Sequence, residues 1–272
     1  MIIVVDNLNG TYTCEVPNSK YEYNIVGDEY IQENGVVEVN GADVLVSVML
    51  EDEICHCDNL LYNGILSTKV RWNICGDTET LCISGSGSMP LTITGEWRDH
   101  YGTFNHIIIG NSVKMIGNNA FQNCTNLEDV IIGNSVTSIG TNTFQNCTNL
   151  KNVIIGNSVK IIDNNAFYGC SQLKEIIIPD LVTSINFNVF VDCTGLEEII
   201  IPFSVISIGE RAFSGCTSLI KLINHALIPQ TINANVFQNV NKTTCIIEVP
   251  STSLLLYQNA DVWKDFQNII GI

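Results

Sequence analysis

Three residue types recur with one shared spacing of 23. Phe121, Phe144, Phe167, Phe190 and Phe213 form one series; Cys124, Cys147, Cys170, Cys193 and Cys216 follow three residues behind. Leu127, Leu150, Leu173, Leu196 and Leu219 follow each cysteine by three more. A chain that repeats three apolar columns in phase is narrowly restricted in what it can fold into. Each copy carries an apolar side too small to bury itself, and only an adjacent copy in the same conformation can cover it.

One unit, Leu127 to Asn149, predicts the shape of a coil. Val130-Ile131-Ile132 is β-branched and reads as a short strand, stopped by Gly133, a position held by Pro179 and Pro202 in later copies. Val136 to Ile139 supplies a second extended piece, and Thr143 to Cys147 reads as one helical turn. Ala120, Ala166 and Ala212 take the small position of that turn elsewhere. Leu127, Val130, Ile132, Val136, Ile139, Phe144 and Cys147 are expected inside. The fold class is thus a leucine-rich repeat solenoid of 23-residue coils, with parallel β ladders and short helical turns.

The array reaches beyond its regular centre. Phe104 stands at the leucine position of an earlier unit. At the far end Leu219 to Phe237 spans 18 residues rather than 17, Asn224 falls where an inward isoleucine belongs, and Val240 replaces the cysteine. Ile246 to Val249 reads as a last strand, covered by a helix over Tyr257–Phe266 with Leu256, Ala260, Trp263 and Phe266 on one face.

The front of the chain lacks the period. Alternating segments at Tyr21–Val26, Val36–Val39 and Asp43–Leu50, with Asn34-Gly35 and Asn40-Gly41 between them, predict a small β-rich domain over residues 1–60. Arg71–Asp77 and Leu81–Met89 predict a hairpin, within a region 61–103 that caps the first coil and hides its edge. The solenoid follows over 104–250 and the helical cap over 251–272.

Acidic residues outnumber basic ones 28 to 12, for a net charge of -16. That surplus disfavours nucleic acid and anionic membrane surfaces as partners. Met1–Val5 meets Asp6 too early for a leader's apolar core, and no apolar run is long enough for a membrane span.

With these residues in view, the sequence resembles the BspA-like family of leucine-rich repeat proteins. The likeness rests on Ile131-Ile132-Gly133-Asn134-Ser135-Val136-Thr137-Ser138-Ile139-Gly140 and on the Ala166-Phe167-Tyr168-Gly169-Cys170 element. It also rests on the Leu81–Met89 hairpin and on the closing stretch from Val249-Pro250 through Tyr257 to Phe266. It covers residues of about 70–272 and leaves the first 60 outside. The resemblance implies a curved solenoid on the cell surface or secreted, from anaerobic bacteria or parasitic protists, with adhesion to host or microbial surface proteins. It implies no catalytic residue.

The cysteine column reads as buried free thiols, small hydrophobes that suit a tight corner, although neighbouring coils lie within reach of a bridge. Cys55-His56-Cys57 with Cys75 and Cys82 is the one grouping with metal-like chemistry. Its spacing matches no zinc finger, and a Cys75–Cys82 disulfide or a purely structural role are the alternatives. His56, His100, His106 and His225 are scattered. Gly85-Ser86-Gly87-Ser88 lacks the residues of a phosphate loop. Glycosylation sequons at Asn9, Asn123, Asn146 and Asn241 follow from an Asn/Thr-rich repeat. No cofactor, metal or enzymatic activity is expected.

A binding surface is suggested by alternation along the strand. If Val130 and Ile132 face inward, Ile131 faces outward, and Ile108, Ile154, Ile177, Ile200 and Ile223 hold the same position. Stacked, they form one apolar ribbon, which marks a contact surface or else simply stabilises the ladder. Its rim holds Glu128, Lys151, Lys174 and Glu197 in one column, and Asp129, Asn152, Glu175 and Glu198 in the next. The expected function is protein binding or adhesion through this face. The alternative is an assembly component that binds through residues 1–60 and uses the solenoid as a spacer.

Overall fold

The computed structural model describes residues 59–67, 69–91 and 97–272 in full. It gives the backbone alone of six strands, β1 (Ile3–Asp6), β2 (Thr11–Glu15), β3 (Glu22–Val26), β4 (Glu29–Glu33), β5 (Val36–Asn40) and β6 (Leu45–Met49). These pair antiparallel in the order β1-β2-β5-β4, with β3 against β6. Three of them, β3, β5 and β6, fall on the segments where alternation predicted strands.

The solenoid opens with three antiparallel strands, β7 (Leu60–Ile65), β8 (Val70–Cys75) and β9 (Thr80–Gly85). The last two are the predicted hairpin. Gly85 leaves β9 at φ 97, and a Cβ there would meet the Lys69 carbonyl oxygen at 2.1 Å, so only glycine permits this exit. From here the chain coils. β10 (Gly87–Ser88), β11 (His106–Ile109), β12 (Val113–Ile116), β13 (Asp129–Ile132) and β14 (Ser138–Ile139) come first. β15 (Asn152–Ile154), β16 (Ile161–Ile162), β17 (Glu175–Ile177), β18 (Ser184–Ile185), β19 (Glu198–Ile201) and β20 (Ser207–Ile208) continue the alternation. β21 (Lys221–Asn224), β22 (Ile246–Val249) and β23 (Asn268–Gly271) close it.

The odd-numbered strands from β9 to β21, with β22 and β23, lie along the front in two ladders that part between β15 and β17; β10, β12, β14, β16, β18 and β20 build a back one. All are parallel, and in the regular coils from β11 to β21 partners are 23 residues apart: Ile107 pairs with Val130, and Val130 with Val153. Equal spacing and equal register let each side chain sit on its own kind in the next coil.

The inward assignments hold. Leu127, Val130, Ile132, Val136, Ile139, Phe144 and Cys147 are all buried. Phe121, Phe144, Phe167, Phe190, Phe213 and Phe237 stand in one file, adjacent ring centroids 5.4 to 5.7 Å apart and planes within 6 to 16°. Such offset stacking adds to the area each ring buries. Tryptophan ends the file on both sides. Trp97 stacks on Phe121 at 5.4 Å and donates its indole N–H to the Ala120 carbonyl at 3.0 Å. Trp263 meets Phe237 edge-on and donates to the Gln230 carbonyl at 2.9 Å.

The segment after the back strand is not the expected helical turn. It consists of tight turns closed by i+3 contacts, such as Gln145 N–H to the Asn142 carbonyl and Cys147 N–H to the Phe144 carbonyl. Two residues per coil adopt the left-handed region and prevent a helix. The first column is Asn119, Asn142, Asn165, Asn188 and Arg211, with φ of 55 to 58°. The second is Asn123, Asn146, Gly169, Asp192, Gly215 and Asn239. Glycine, asparagine and aspartate tolerate this backbone best. In the first column the side chains form a ladder, Asn142 donating to Asn119 at 2.9 Å, and Asn165 to Asn142 and Asn188 to Asn165 at 3.0 Å.

The irregular last coils are accommodated rather than strained. Asn224 is buried, yet it donates to Gln230 Oε1 at 2.9 Å and accepts from the Ala226 N–H at 3.1 Å. Gln230 in turn donates to the Val205 carbonyl at 2.8 Å, so this polar pair has its partners. The C-terminal cap is less helical than expected. Helix α1 spans only Leu254–Asn259, and a short 3-10 turn at Trp263–Asp265 precedes strand β23. Tyr257, Trp263 and Phe266 cover the last coil, whereas Leu256 faces solvent. The chain turns extended at Ala260, so the helical offsets counted from Leu256 do not persist.

Candidate interaction surface

The outward isoleucines stack in register, but not as one ribbon. Ile108, Ile131 and Ile154 are aligned in the ladder that ends at β15; Ile177, Ile200 and Ile223 are aligned in the one that begins at β17. Between Ile154 and Ile177 the front sheet is not joined by hydrogen bonds. The split falls where the turn after the strand changes from Gly110, Gly133 and Gly156 to Pro179 and Pro202. These glycines nest closely: a Cβ on Gly156 would lie 2.4 Å from the Gly133 carbonyl oxygen, and one on Gly133 2.7 Å from Gly110. Pro179 carries a Cβ and no N–H at this place, so it cannot repeat the bond by which the Gly133 N–H reaches the Ile109 carbonyl at 2.8 Å. Pairing resumes between β17 and β19, whose coils both carry proline at this turn.

Exposure along the column is also uneven. Ile108 is only 8% exposed, which corrects its assignment to an open ribbon, while Ile177 beside the split is 69% exposed. Ile131, Ile154, Ile200 and Ile223 are half-buried between their neighbours.

The rim residues pair along their columns. Lys151 Nζ lies 2.8 Å from Glu128, and Lys174 Nζ 3.9 Å from Glu197. In the next column His106 Nδ1 contacts Asp129 at 2.8 Å, and Asn152 donates to the same carboxylate. These bonds hold the Asp129 carboxyl below its usual range, the His106 contact contributing most. Glu198 shares Lys221 with Glu248 at 3.5 and 3.4 Å. Glu175 stands directly opposite Glu198 in the ladder, so this stretch of the rim is locally acidic. The pairs are solvent-exposed and contribute little to stability individually.

A second apolar group was not foreseen. Leu181, Phe203, Ile206, Leu227 and Ile228 are exposed on the turns of the C-terminal coils, Phe203 at 70%, Ile206 at 78% and Ile228 at 76%. Leu255 of α1 is exposed as well, and Ser253 at the head of that helix is bonded to the Leu227 carbonyl. The signal lay in departures from the repeat. Phe203 replaces Asn111, Asn134 and Asn157; Leu181 replaces Ser112, Ser135 and Ser158; Ile206 replaces Lys114, Thr137, Lys160 and Thr183. Stacking demands none of these changes, because the positions face outward.

The other candidate chemistry resolves more simply. Cys124, Cys147, Cys170, Cys193, Cys216 and Cys245 are free and buried. Desolvation raises every one of these thiols, Cys124 and Cys245 to about 12. Cys75 and Cys82 are disulfide-bonded, which removes both from any metal-binding set. Cys55, His56 and Cys57 lie outside the described residues. Among the described residues no group of three or more His, Cys, Asp or Glu side chains is placed to hold a metal. The sequon residues Asn123 and Asn146 occupy left-handed positions, so backbone geometry accounts for asparagine there; Asn9 lies outside the described residues. No described helix is long and apolar enough to cross a membrane.

Comparison with solved structures finds leucine-rich repeat proteins of several bacteria among its matches. A leucine-rich repeat protein of Bacteroides ovatus is 32% identical, with 53% of this chain and 36% of that one covered and a TM-score of 0.45. The Treponema pallidum leucine-rich repeat protein is 20% identical, covering 73% and 91% at 0.48. The pneumococcal vaccine antigen PcpA is 22% identical, covering 62% and 41% at 0.50. The chain thus spans about a third of the Bacteroides protein. The search among curated proteins finds no match. A model of the BspA type leucine rich repeat region matches six copies, over residues 99–220 and 183–260. With more than half of its length matched in this way and its coils stacked as the repeat requires, the chain belongs to the BspA type leucine-rich repeat family.

Proposed function

We propose that the chain is a non-catalytic protein-binding or adhesion module whose partner is a protein on a host or microbial surface. The observation that carries this is the set of large apolar side chains on outward positions that other coils fill with polar residues, Phe203 and Ile206 above all. Exposed apolar patches on a rigid scaffold are typical of contact surfaces. On the strand face of the same coils Ile177 and Ile200 add apolar surface, and Lys174, Glu175, Glu197 and Glu198 give it a polar, partly acidic rim, as protein interfaces commonly have. The net charge of -16 opposes a phosphate backbone as partner.

The test is capture from surface-protein extracts by the intact chain, by Ile177→Glu, and by the double variant Phe203→Glu/Ile206→Glu. These side chains are exposed, so circular dichroism and urea midpoints should remain those of the parent. Loss of captured protein in the variants supports the reading. Equal capture by all three chains removes these residues from the site. If binding then follows residues 1–60 alone, the solenoid is a spacer.

A further inference from the structure

The column of left-handed asparagines is interrupted at Arg211. Asn119, Asn142, Asn165 and Asn188 hold this corner with φ of 55 to 58°, and Arg211 takes the next place at φ 58. The backbone register is unaltered: the Asn188 N–H donates to the Glu210 carbonyl at 3.1 Å, as the Asn165 N–H does to the Phe187 carbonyl at 3.0 Å. Only the side chain departs from the pattern, and the departure costs the fold twice. An arginine lacks the short polar arm with which asparagine settles a left-handed backbone. Its guanidinium also fails to replace the missing amide, so Asn188 Oδ1 is buried without a hydrogen bond, a desolvated acceptor left unpaid by any donor.

Nothing else in the fold offsets this. The Arg211 side chain is exposed, and no described residue pairs with its guanidinium, although acids outnumber bases 28 to 12. Glu210 beside it is engaged by the next coil, accepting from Asn233 Nδ2 at 3.0 Å. In the preceding coil Phe187 stands in the column of Asn164 and Asn233, 43% exposed and stacked on no described ring. Strained backbone and unsatisfied buried groups persist where function requires the residue that causes them.

We propose that Arg211 anchors the interaction surface, and that the protein partner presents to it a carboxylate set among apolar side chains. This rests on the reading of the chain as a protein-binding module and names the chemistry its partner must carry. A guanidinium donates two parallel N–H bonds to one carboxylate. Phe187 supplies an apolar flank, and arginine and aromatic side chains are those that interface cores favour. The same coil carries Phe203 and Ile206. A chain of net charge -16 repels an acidic run at long range, so the recognised acid is a single one embedded in an apolar patch.

Two measurements on the full chain test this. Arg211→Asn restores an amide that can donate to Asn188 and that suits the corner, so its urea midpoint should exceed the parent's. An equal or lower midpoint overturns the proposal, because the arginine would then serve the fold. A phage-displayed library of random dodecapeptides is next selected on the parent chain. The enriched peptides should carry Asp or Glu beside apolar residues. They should bind Arg211→Asn at least about ten-fold more weakly, with Arg211→Lys between the two. Enriched peptides without an acid, or equal binding by Arg211→Asn, overturn the proposal. The Phe203→Glu/Ile206→Glu chain separates it from the broader reading. Peptides that lose affinity for that chain but not for Arg211→Asn leave the apolar turns as the site and remove Arg211 from it. The converse keeps Arg211 and removes the turns.

Discussion

The Cys170 thiol donates to the main-chain carbonyl of Phe144, one coil earlier, at 3.2 Å. Cys147, Cys193 and Cys216 make the same bond to Phe121, Phe167 and Phe190 at 3.1 to 3.2 Å. The cysteine column is therefore more than a small apolar filler, since each thiol ties the phenylalanine turn of one coil to the next. Burial keeps these groups protonated, and the neutral S–H is the form that can donate.

The six buried free thiols should make the fold sensitive to alkali. In an unfolded chain a cysteine ionises near pH 8.5–9, whereas Cys124 and Cys245 hold their protons to about 12. Between those values the folded state binds more protons than the unfolded one, so stability falls as pH rises. It is fully present below about pH 8.5 and declines by up to about 1.4 kcal/mol per unit for each such thiol. Urea midpoints at about pH 8 and about pH 10.5 should differ accordingly. Equal midpoints would contradict the shifted thiols.

Removing one ring from the middle of the file should be costly. Phe167 lies 5.4 Å from Phe144 and 5.7 Å from Phe190 and is fully buried. Phe167→Ala should reduce unfolding free energy by about 3–5 kcal/mol, measured by chemical denaturation. A loss of less than about 1 kcal/mol would mean that the coils collapse around the gap.

Asn165 has two separable roles, a left-handed backbone at φ 55 and a place in the side-chain ladder. Asn165→Gly keeps the first and loses the second, whereas Asn165→Ala loses both. The alanine variant should be less stable than the glycine variant by about 1–2 kcal/mol, as read from urea midpoints. The reverse order would show that backbone strain is unimportant at this corner.

The split in the front ladder should be visible by hydrogen exchange. Amides of β17 that would donate to β15 lack the strand partner that β19 finds in β17. Exchange at Glu175–Ile177 should be faster than at Glu198–Ile201, and Pro179→Gly should narrow the difference. Uniform protection across both strands would show that the coils close in solution.

What was legible in the sequence was whatever the period alone determines. The file of Phe121 to Phe213, the inward leucines, the free thiols and the β8–β9 hairpin follow from spacing and alternation. The split between Ile154 and Ile177 does not, because it depends on how closely Gly133 and Gly156 approach the coils before them, a distance no single strand encodes. Trp97 was missed because it lies 24 residues before Phe121, one more than the period. The helical reading of Thr143–Cys147 overlooked Asn142 and Asn146, whose backbone preference breaks a helix before it can propagate. The apolar turns at Phe203 and Ile206 were legible in principle, as departures from columns that are otherwise polar.

The two tryptophans that terminate the aromatic file have a bearing on how such an array changes size. Each is fully buried, Trp97 against Phe121 and Trp72 and Trp263 against Phe237 and Tyr257, and satisfies its indole N–H within the body of the protein, so neither offers a site where a further unit could attach. Growth at the tips would mean rebuilding a terminus. A whole 23-residue segment inserted or deleted in the interior, by contrast, brings identical contacts to both of its neighbours and leaves the termini untouched. Length is thus set from within, and relatives with more or fewer turns could keep the same two ends.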